Sequence, residues 1–482
     1  MPAAAAVAAG GGLTADEVAR AEVKRIAGDG EPRDRINVVL MGDGYTESEK
    51  EKFWQDMDRL TNDMFEQDTF QSYLPLFIVW GVFIASRESG IGTHSRPRDT
   101  TFQLYRQGTQ LRGVFTNRPQ AARDACKLTG ANACDFPSLV GNDDYYGGLG
   151  GEFVIGTRST TSGTVVIRHE FGHNFGRVGE EYDDGQVYSG ANSDTRLPPS
   201  IKWQHWVTEP SRTTEQRVVQ RLGAYPWHDL AQGPRTFSFT SDGKWSRWML
   251  RFTASGVPNA GDLVARLDGV ELRVGGAQWG LDRSFWVFGS QTEGLTSGTH
   301  RLEFMSGSKP GPNDPIQQLC SLTLHEYAAE PDFHWRPEYI GAYPTWSVSG
   351  RKTYRPTNEA CLMRNMTSTK FAAPCLENMM LRFVGKTGLI DGVDVDTAGD
   401  DVRVTARVVQ LGTGAYRPAD AVMRAVWTRD GAHVPRLDDT FQWSAPNEEA
   451  RGAWGLTVHF ETPEVRKDPS NVLTDTAKFT VP

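Results

Sequence analysis

The stretch with the most specific chemistry runs Ile167-Arg168-His169-Glu170-Phe171-Gly172-His173-Asn174-Phe175-Gly176, with Glu180, Glu181 and Tyr182 close behind. His169 and His173 are four residues apart. On a helix of about 3.6 residues per turn that spacing puts both imidazoles on one face, where two ring nitrogens can grip a single Zn²⁺. Glu170, beside the first histidine, is near enough to act on a metal-activated water without being a ligand, which is the place of a general base. The flanks suit a buried helix. Thr161, Ser162 and Thr164 offer capping hydroxyls, Val165, Val166, Ile167, Phe171 and Phe175 supply apolar faces, and Gly172 and Gly176 permit close backbone approach.

A catalytic zinc takes three protein ligands and keeps an open position. At the usual spacing for a third ligand the chain has Gly179, and two carboxylates follow it. If the helix ends at Gly176, the chain can turn and carry one of them back to the metal. The expected ligand set is His169, His173 and Glu181, with Glu180 as the alternative. Taken alone, the residues lead to a zinc hydrolase.

The run from His169 to Tyr182 resembles the signature of the M64 peptidases, the IgA-peptidase group. Glu181 and Tyr182 match its pattern, and Glu180 stands where Asp is commoner. Gly42-Asp43-Gly44-Tyr45-Thr46 resembles the N-terminal motif of the same family. The resemblance implies a zinc-dependent endopeptidase acting on a protein or peptide substrate, on a metzincin-like α/β domain. It implies a methionine turn beneath the metal, for which Met363 is the candidate, and a substrate strand added to the edge strand that precedes the zinc helix. Members are commonly exported, which favours disulfides Cys126–Cys134 and Cys361–Cys375 and an extracellular location. The spacing alone also allows five reduced thiols, and Cys320 is left over in either case.

The elements that must position these groups follow from patterning. Residues 36–41 form a nearly continuous apolar run, consistent with a buried strand. Thr46 and Glu49 make a capping box for a helix reaching about residue 65, with Phe53, Met57, Leu60 and Met64 at helical spacing. A second strand at 76–85 completes a βαβ unit. Asp43 reads as a turn residue. Residues 142–148 form a glycine-rich loop without a phosphate-binding pattern, and 152–156 a strand just before the zinc helix. Residues 31–210 are thus the first part of a catalytic domain. Residues 211–332 change to short β-rich runs, an inserted β-sandwich whose Trp245, Trp248, Trp279 and Trp286 are either core or a carbohydrate surface. Residues 333–386 return to the catalytic domain with Met363 and a C-terminal helix. Residues 387–482 read as an Ig-like β-sandwich, and 1–30 as a disordered lead-in without a signal-peptide pattern. The fold class is α+β and multidomain.

Composition bounds the rest. The chain has 482 residues, enough for several domains, and 50 glycines, 26 prolines and 14 tryptophans, which favour turn-rich β structure. A net charge of −9 argues against nucleic acid as a partner. No apolar run is long enough for a transmembrane segment. Two other functions fit parts of the pattern. One is a zinc hydrolase or amidase acting on a cell-wall or glycan-linked substrate. The other is a non-catalytic binding protein that works through carbohydrate or protein contacts of its sandwiches; the intact Glu170 speaks against it.

Overall fold

The computed structural model describes residues 11–65, 70–212, 214–273, 279–308, 311, 314–330, 332–397, 399–412 and 420–482. It is a mixed α+β chain, mostly strands, in several sheets. The first sheet has five strands: β1 (Glu22–Ala27), β2 (Ile36–Asp43), β3 (Phe77–Phe83), β4 (Phe136–Gly141) and β5 (Val154–Thr157), in the order β1-β3-β2-β4-β5. All pairs are parallel except β1 with β3. All eight residues of β2 are buried because both faces are covered. Strand alternation sends Val38 and Leu40 to one core and Val39 and Met41 to the other.

On the first face lie α1 (Lys50–Phe65), α3 (Gly163–Gly176) and α4 (Ala373–Thr387); on the second lies α2 (Pro119–Lys127). Thr46 and Glu49 form the expected capping box ahead of α1. Asp43, at the end of β2, is fully buried and accepts from the amides of Phe102 and Leu104 and from Thr100 Oγ1 at 2.7–2.8 Å. Its role is to tie a loop to the sheet. β5, the strand before α3, is an edge strand. Its Ile155 amide and carbonyl are already taken by Leu149 at 2.9 and 3.1 Å, so an added strand would have to lie outside that segment.

The lead-in differs from expectation. Residues 1–10 lie outside the described residues, but 11–30 are ordered structure, not disordered chain. Thr14 and Glu17 form a capping box on a short helix, Arg118 grips Glu17 at 2.7 Å, and β1 pairs along β3. The order comes from main-chain pairing, ion pairs to Arg118 and Lys50, and apolar contacts of Leu13, Ala21, Val23 and Ile26 too scattered to leave a period in the sequence.

Between Arg217–Gln220 and Gln318–Tyr327 the chain builds two antiparallel sheets that share one core. Phe252 is central there, with ring centroids 5.4 Å from Trp286 and 4.9 Å from Phe304. Trp286 is therefore core and cannot present a sugar platform. The last block has a three-stranded sheet (Ile390–Asp396, Asp401–Val408, Gln442–Pro446) and a four-stranded one built around Val422–Arg429 and Gly452–Glu461. Its interior runs without a break into the core under α4, and Arg35 and Asp391 join the two parts bidentately at 2.6 and 2.7 Å.

Cys126 and Cys134 are disulfide-bonded. The second expected bridge is not formed: Cys361 and Cys375 are buried free thiols beside Glu181. Burial pushes both upward and keeps them protonated. Cys320 is also free and buried. Among the described residues no helix is long and apolar enough to cross a membrane.

Phe383 on α4 meets Tyr73, Phe77 and Phe175 at 5.1, 5.0 and 5.6 Å between ring centroids. Phe383→Ala is expected to destabilise the chain by about 3–5 kcal/mol, read as a lower denaturation midpoint; a shift under about 1 kcal/mol would mean the ring is not central to the packing.

Candidate metal centre

α3 is buried over most of its circumference. Gly172 and Gly176 make that possible. A Cβ on Gly172 would stand 2.7 Å from Met363 Sδ, and one on Gly176 would stand 2.9 Å from Met379 Cε. The 361–366 loop and α4 therefore press directly on the helix. At its C-terminal end, Asn378 Nδ2 donates to the Gly176 carbonyl and Arg382 Nε to the Phe175 carbonyl, at 2.5 and 2.9 Å. These groups satisfy two of the carbonyls a helix end leaves unpaired. At the N-terminal end, Ser162 makes no capping bond to α3. Its hydroxyl donates instead to Asp282 of the inserted sheets at 2.7 Å.

The helix stops when Arg177 takes a left-handed conformation, φ 49°. Gly179 then passes so close to Ser189 that a Cβ would lie 2.6 Å from its backbone nitrogen and oxygen. This reversal carries Glu180 back to the histidines. His173 Nε2 is 3.1 Å from Glu180 Oε1, and His169 Nε2 is 3.3 Å from Glu180 Oε2. Donor atoms of all three groups lie within 4.8 Å of one another. His169 Nδ1 faces the Leu362 carbonyl at 3.3 Å, and His173 Nδ1 the Val178 carbonyl at 2.8 Å. A carbonyl only accepts, so each Nδ1 carries a proton and each Nε2 is left free to ligate. Glu180 Oε2 is buried and makes no hydrogen bond. A two-imidazole, one-carboxylate set with aligned Nε2 atoms and an orphaned oxygen fits Zn²⁺.

Glu181, the expected third ligand, is not at this centre. The Glu180 amide donates to Val187 and the next amide, Glu181, to Met363. Successive residues therefore face opposite ways, and only one of the two carboxylates can reach the imidazoles. Glu181 Oε1 accepts from Asn192 at 2.8 Å. Burial, partly offset by Asn192, raises its carboxyl to about 7.

Charge coupling is strong at the centre. Burial would raise Glu180, but the two imidazoles outweigh it and bring the carboxyl down to about 2. Burial would lower His173, but Glu180 outweighs it and lifts the imidazole to about 9; His169 is raised for the same reason. Glu170 is raised by burial, partly offset by the imidazoles. Gly150 makes room for it, since a Cβ there would stand 2.5 Å from Glu170 Oε2. Glu170 borders two cavities. One, of about 220 Å³, also has His169, Glu180, Tyr182 and Arg283 in its walls; the other has Gly150, His173 and Val187.

Residues 25–230 match the family model described as IgA Peptidase M64. Over that span the chain is similar to the M64 peptidases. The matched segment holds α3, both histidines, Glu170 and Glu180, and ends after the first two strands of the inserted sheets. No curated protein matches the chain. Among solved structures, domains d3–d4 of the rat CD45 extracellular region are 17% identical, with 19% of this chain and 47% of that chain covered, at a TM-score of 0.13. A GH2 β-galacturonidase from Eisenbergiella tayi is 10% identical, with 52% of this chain and 35% of that one covered, also at 0.13. The adhesin domain of Epf from Streptococcus pyogenes is 8% identical, covering 51% and 71%, at 0.12. The chain spans less than half of the first two, and at these scores the likenesses carry no argument.

Several groups around the candidate site carry no signal in the sequence. Tyr146 sits in the glycine-rich loop, which showed only turn chemistry. Tyr225 and Trp227 line the cavity that holds His169 and Glu180, from just after the first strand of the inserted sheets, and Arg283 lines it from further within them. Nothing in their local spacing marks them as wall residues.

In metal-stripped protein, His173 has its pKa raised from 6.5 to about 9. Its stabilising effect is fully present below about pH 6.5 and is lost as pH rises through about 9. Thermal midpoints of chelator-treated protein are expected to fall over that window, and His173→Asn to flatten the fall; an unchanged slope in the variant would refute the pairing.

Proposed function

We propose that the protein is a zinc-dependent endopeptidase in which His169, His173 and Glu180 hold the ion and Glu170 is the general base. The observation that carries this reading is the convergence of two Nε2 atoms and a buried, hydrogen-bond-deficient carboxylate oxygen beside a second carboxylate that borders open space. When bound, the ion supplies Lewis acidity to water and to a scissile carbonyl.

The chain's own groups do the rest. The Leu362 and Val178 carbonyls orient the two imidazoles. Glu170 carries a carboxyl raised by burial, which brings its basicity closer to working pH. It accepts the proton of the attacking water and returns it to the departing amine nitrogen. Cavities on both sides of Glu170 leave room for substrate on either side of the cut bond, which favours an endopeptidase. Met363, packed against Gly172 between the histidines, suits the methionine of a metzincin-like turn. The three-plus-four strand arrangement of the last block suits an Ig-like module. The Cys126–Cys134 bond is compatible with an extracellular setting.

Glu170→Gln is expected to keep stoichiometric zinc and lose roughly 10²–10⁴-fold in casein or peptide hydrolysis. Full activity in that variant would sink the assignment. Glu180→Ala should abolish stoichiometric zinc by elemental analysis while Glu181→Gln retains it, and the reverse pattern would return the ligand role to Glu181.

A further inference from the structure

The inserted sheets lay one buried cation against the candidate centre. Asp282 accepts from Ser159 Oγ and Ser162 Oγ, both at 2.7 Å, and from the Tyr146 amide. It thus clamps the inserted sheets onto the N-terminal end of α3. The next residue, Arg283, is fixed by that clamp in the wall of the cavity that His169 and Glu170 also line.

Arg283 is only 8% exposed. Its Nε donates to Thr253 Oγ1 at 3.0 Å, and its terminal nitrogens to the Leu111 carbonyl at 3.4 Å and to Ser321 Oγ at 3.3 Å. All three acceptors are neutral. The guanidinium carbon lies 4.7 Å from the Tyr146 ring centroid and 5.0 Å from that of Trp227. Among the described residues no carboxylate pairs with it. Two other arginines of the same cavity are neutralised: Arg251 by Glu359 at 2.6 Å, and Arg364 by Asp183 and Glu359 at 2.9 and 3.0 Å. A buried guanidinium without a counter-charge is costly unless an anion arrives. Arg112 adds a second cation, without a carboxylate partner among the described residues, at an exposed position of the same wall, over Tyr225 and Trp227.

The distribution of charge is directional. Tyr146, whose ring Arg283 overlies, lines the same cavity as Glu170 and Glu180. An anionic substrate group is repelled from Glu170 and Glu180 and attracted to the Arg283 wall. Guanidinium recognises a carboxylate with paired N–H donors, and an aromatic floor holds its plane.

We propose that Arg283, assisted by Arg112, binds a carboxylate of the peptide substrate, so that the protein prefers bonds close to an acidic side chain or to a free C-terminus. The proposal rests on the peptidase reading above and adds the substrate class. The zinc-loaded protein is assayed on matched fluorogenic peptides that carry Glu or Gln near the scissile bond, each with a free or an amidated C-terminus. The expected kcat/KM is roughly 10- to 100-fold higher for carboxylate-bearing peptides. A drop on Glu-to-Gln exchange identifies the side chain as the source, and a drop on amidation identifies the terminus. Arg283→Gln should erase the preference, bringing kcat/KM on carboxylate-bearing peptides down to that on their neutral counterparts, and Arg283→Lys should retain part of it. Arg112→Gln, at an exposed position, should weaken the same preference and serves where Arg283→Gln does not fold. Equal rates on all four peptides, or an equal loss on all of them in Arg283→Gln, would overturn the proposal and leave Arg283 as a brace between chain segments. If no peptide is cut faster than by Glu170→Gln, the peptidase reading itself fails, and this inference with it.

Discussion

Glu180 is a carboxylate taken out of water and placed between two imidazoles. Desolvating such a group costs several kcal/mol, and the fold must return that with nearby positive charge. Protons on the imidazoles can supply it, as the opposed shifts of Glu180 and His173 show. A divalent cation supplies it better, because it also satisfies the oxygen that has no hydrogen bond. Most of the surrounding structure serves this one arrangement. The Leu362 and Val178 carbonyls point each Nε2 inward, Gly172 admits the 361–366 loop, and Gly179 lets the chain reverse tightly enough to return Glu180.

A second buried charge system fixes the parts relative to one another. Asp183 pairs with Arg217 and Arg364 at 2.9 Å each, and His325 lies 3.5 Å away. Burial alone would raise its carboxyl, but the arginines outweigh burial and hold it far below the usual range. The four residues come from the segment after Glu180, from the first and last strands of the inserted sheets, and from the loop that carries Met363. With the Asp282 clamp, this makes the insertion a wall of the cavity and not a tethered appendage. Breaking one partner would leave an uncompensated charge in the interior, which is among the more damaging local changes a fold can suffer.

The sequence made the chemistry legible where chemistry and helical periodicity coincide. His169, Glu170 and His173 needed only a helix, and α3 provides it; β2, α1 and β3 were readable from apolar runs and one capping box. The choice between Glu180 and Glu181 was not readable, because it depends on which way two consecutive amides point, and that is set by Val187 and Met363. Neither residue is a sequence neighbour. The free state of Cys361 and Cys375 and the order of residues 11–30 were hidden for the same reason: spacing records what can meet, whereas burial and main-chain pairing decide what does. Arg283 lies more than 100 positions from His169, and only the way the inserted sheets dock against Ser159 and Ser162 brings it to the cavity.

α4 touches both ends of the molecule's logic. Its aromatic side runs into the interior shared with the last block, and its polar side, through Asn378 and Arg382, holds the carbonyl end of the helix that bears both histidines. The terminal block is thus a buttress. One helix joins that block to the carbonyl end of α3, about one turn from His173. The distal module therefore packs against the same helix that satisfies the carbonyl end of α3.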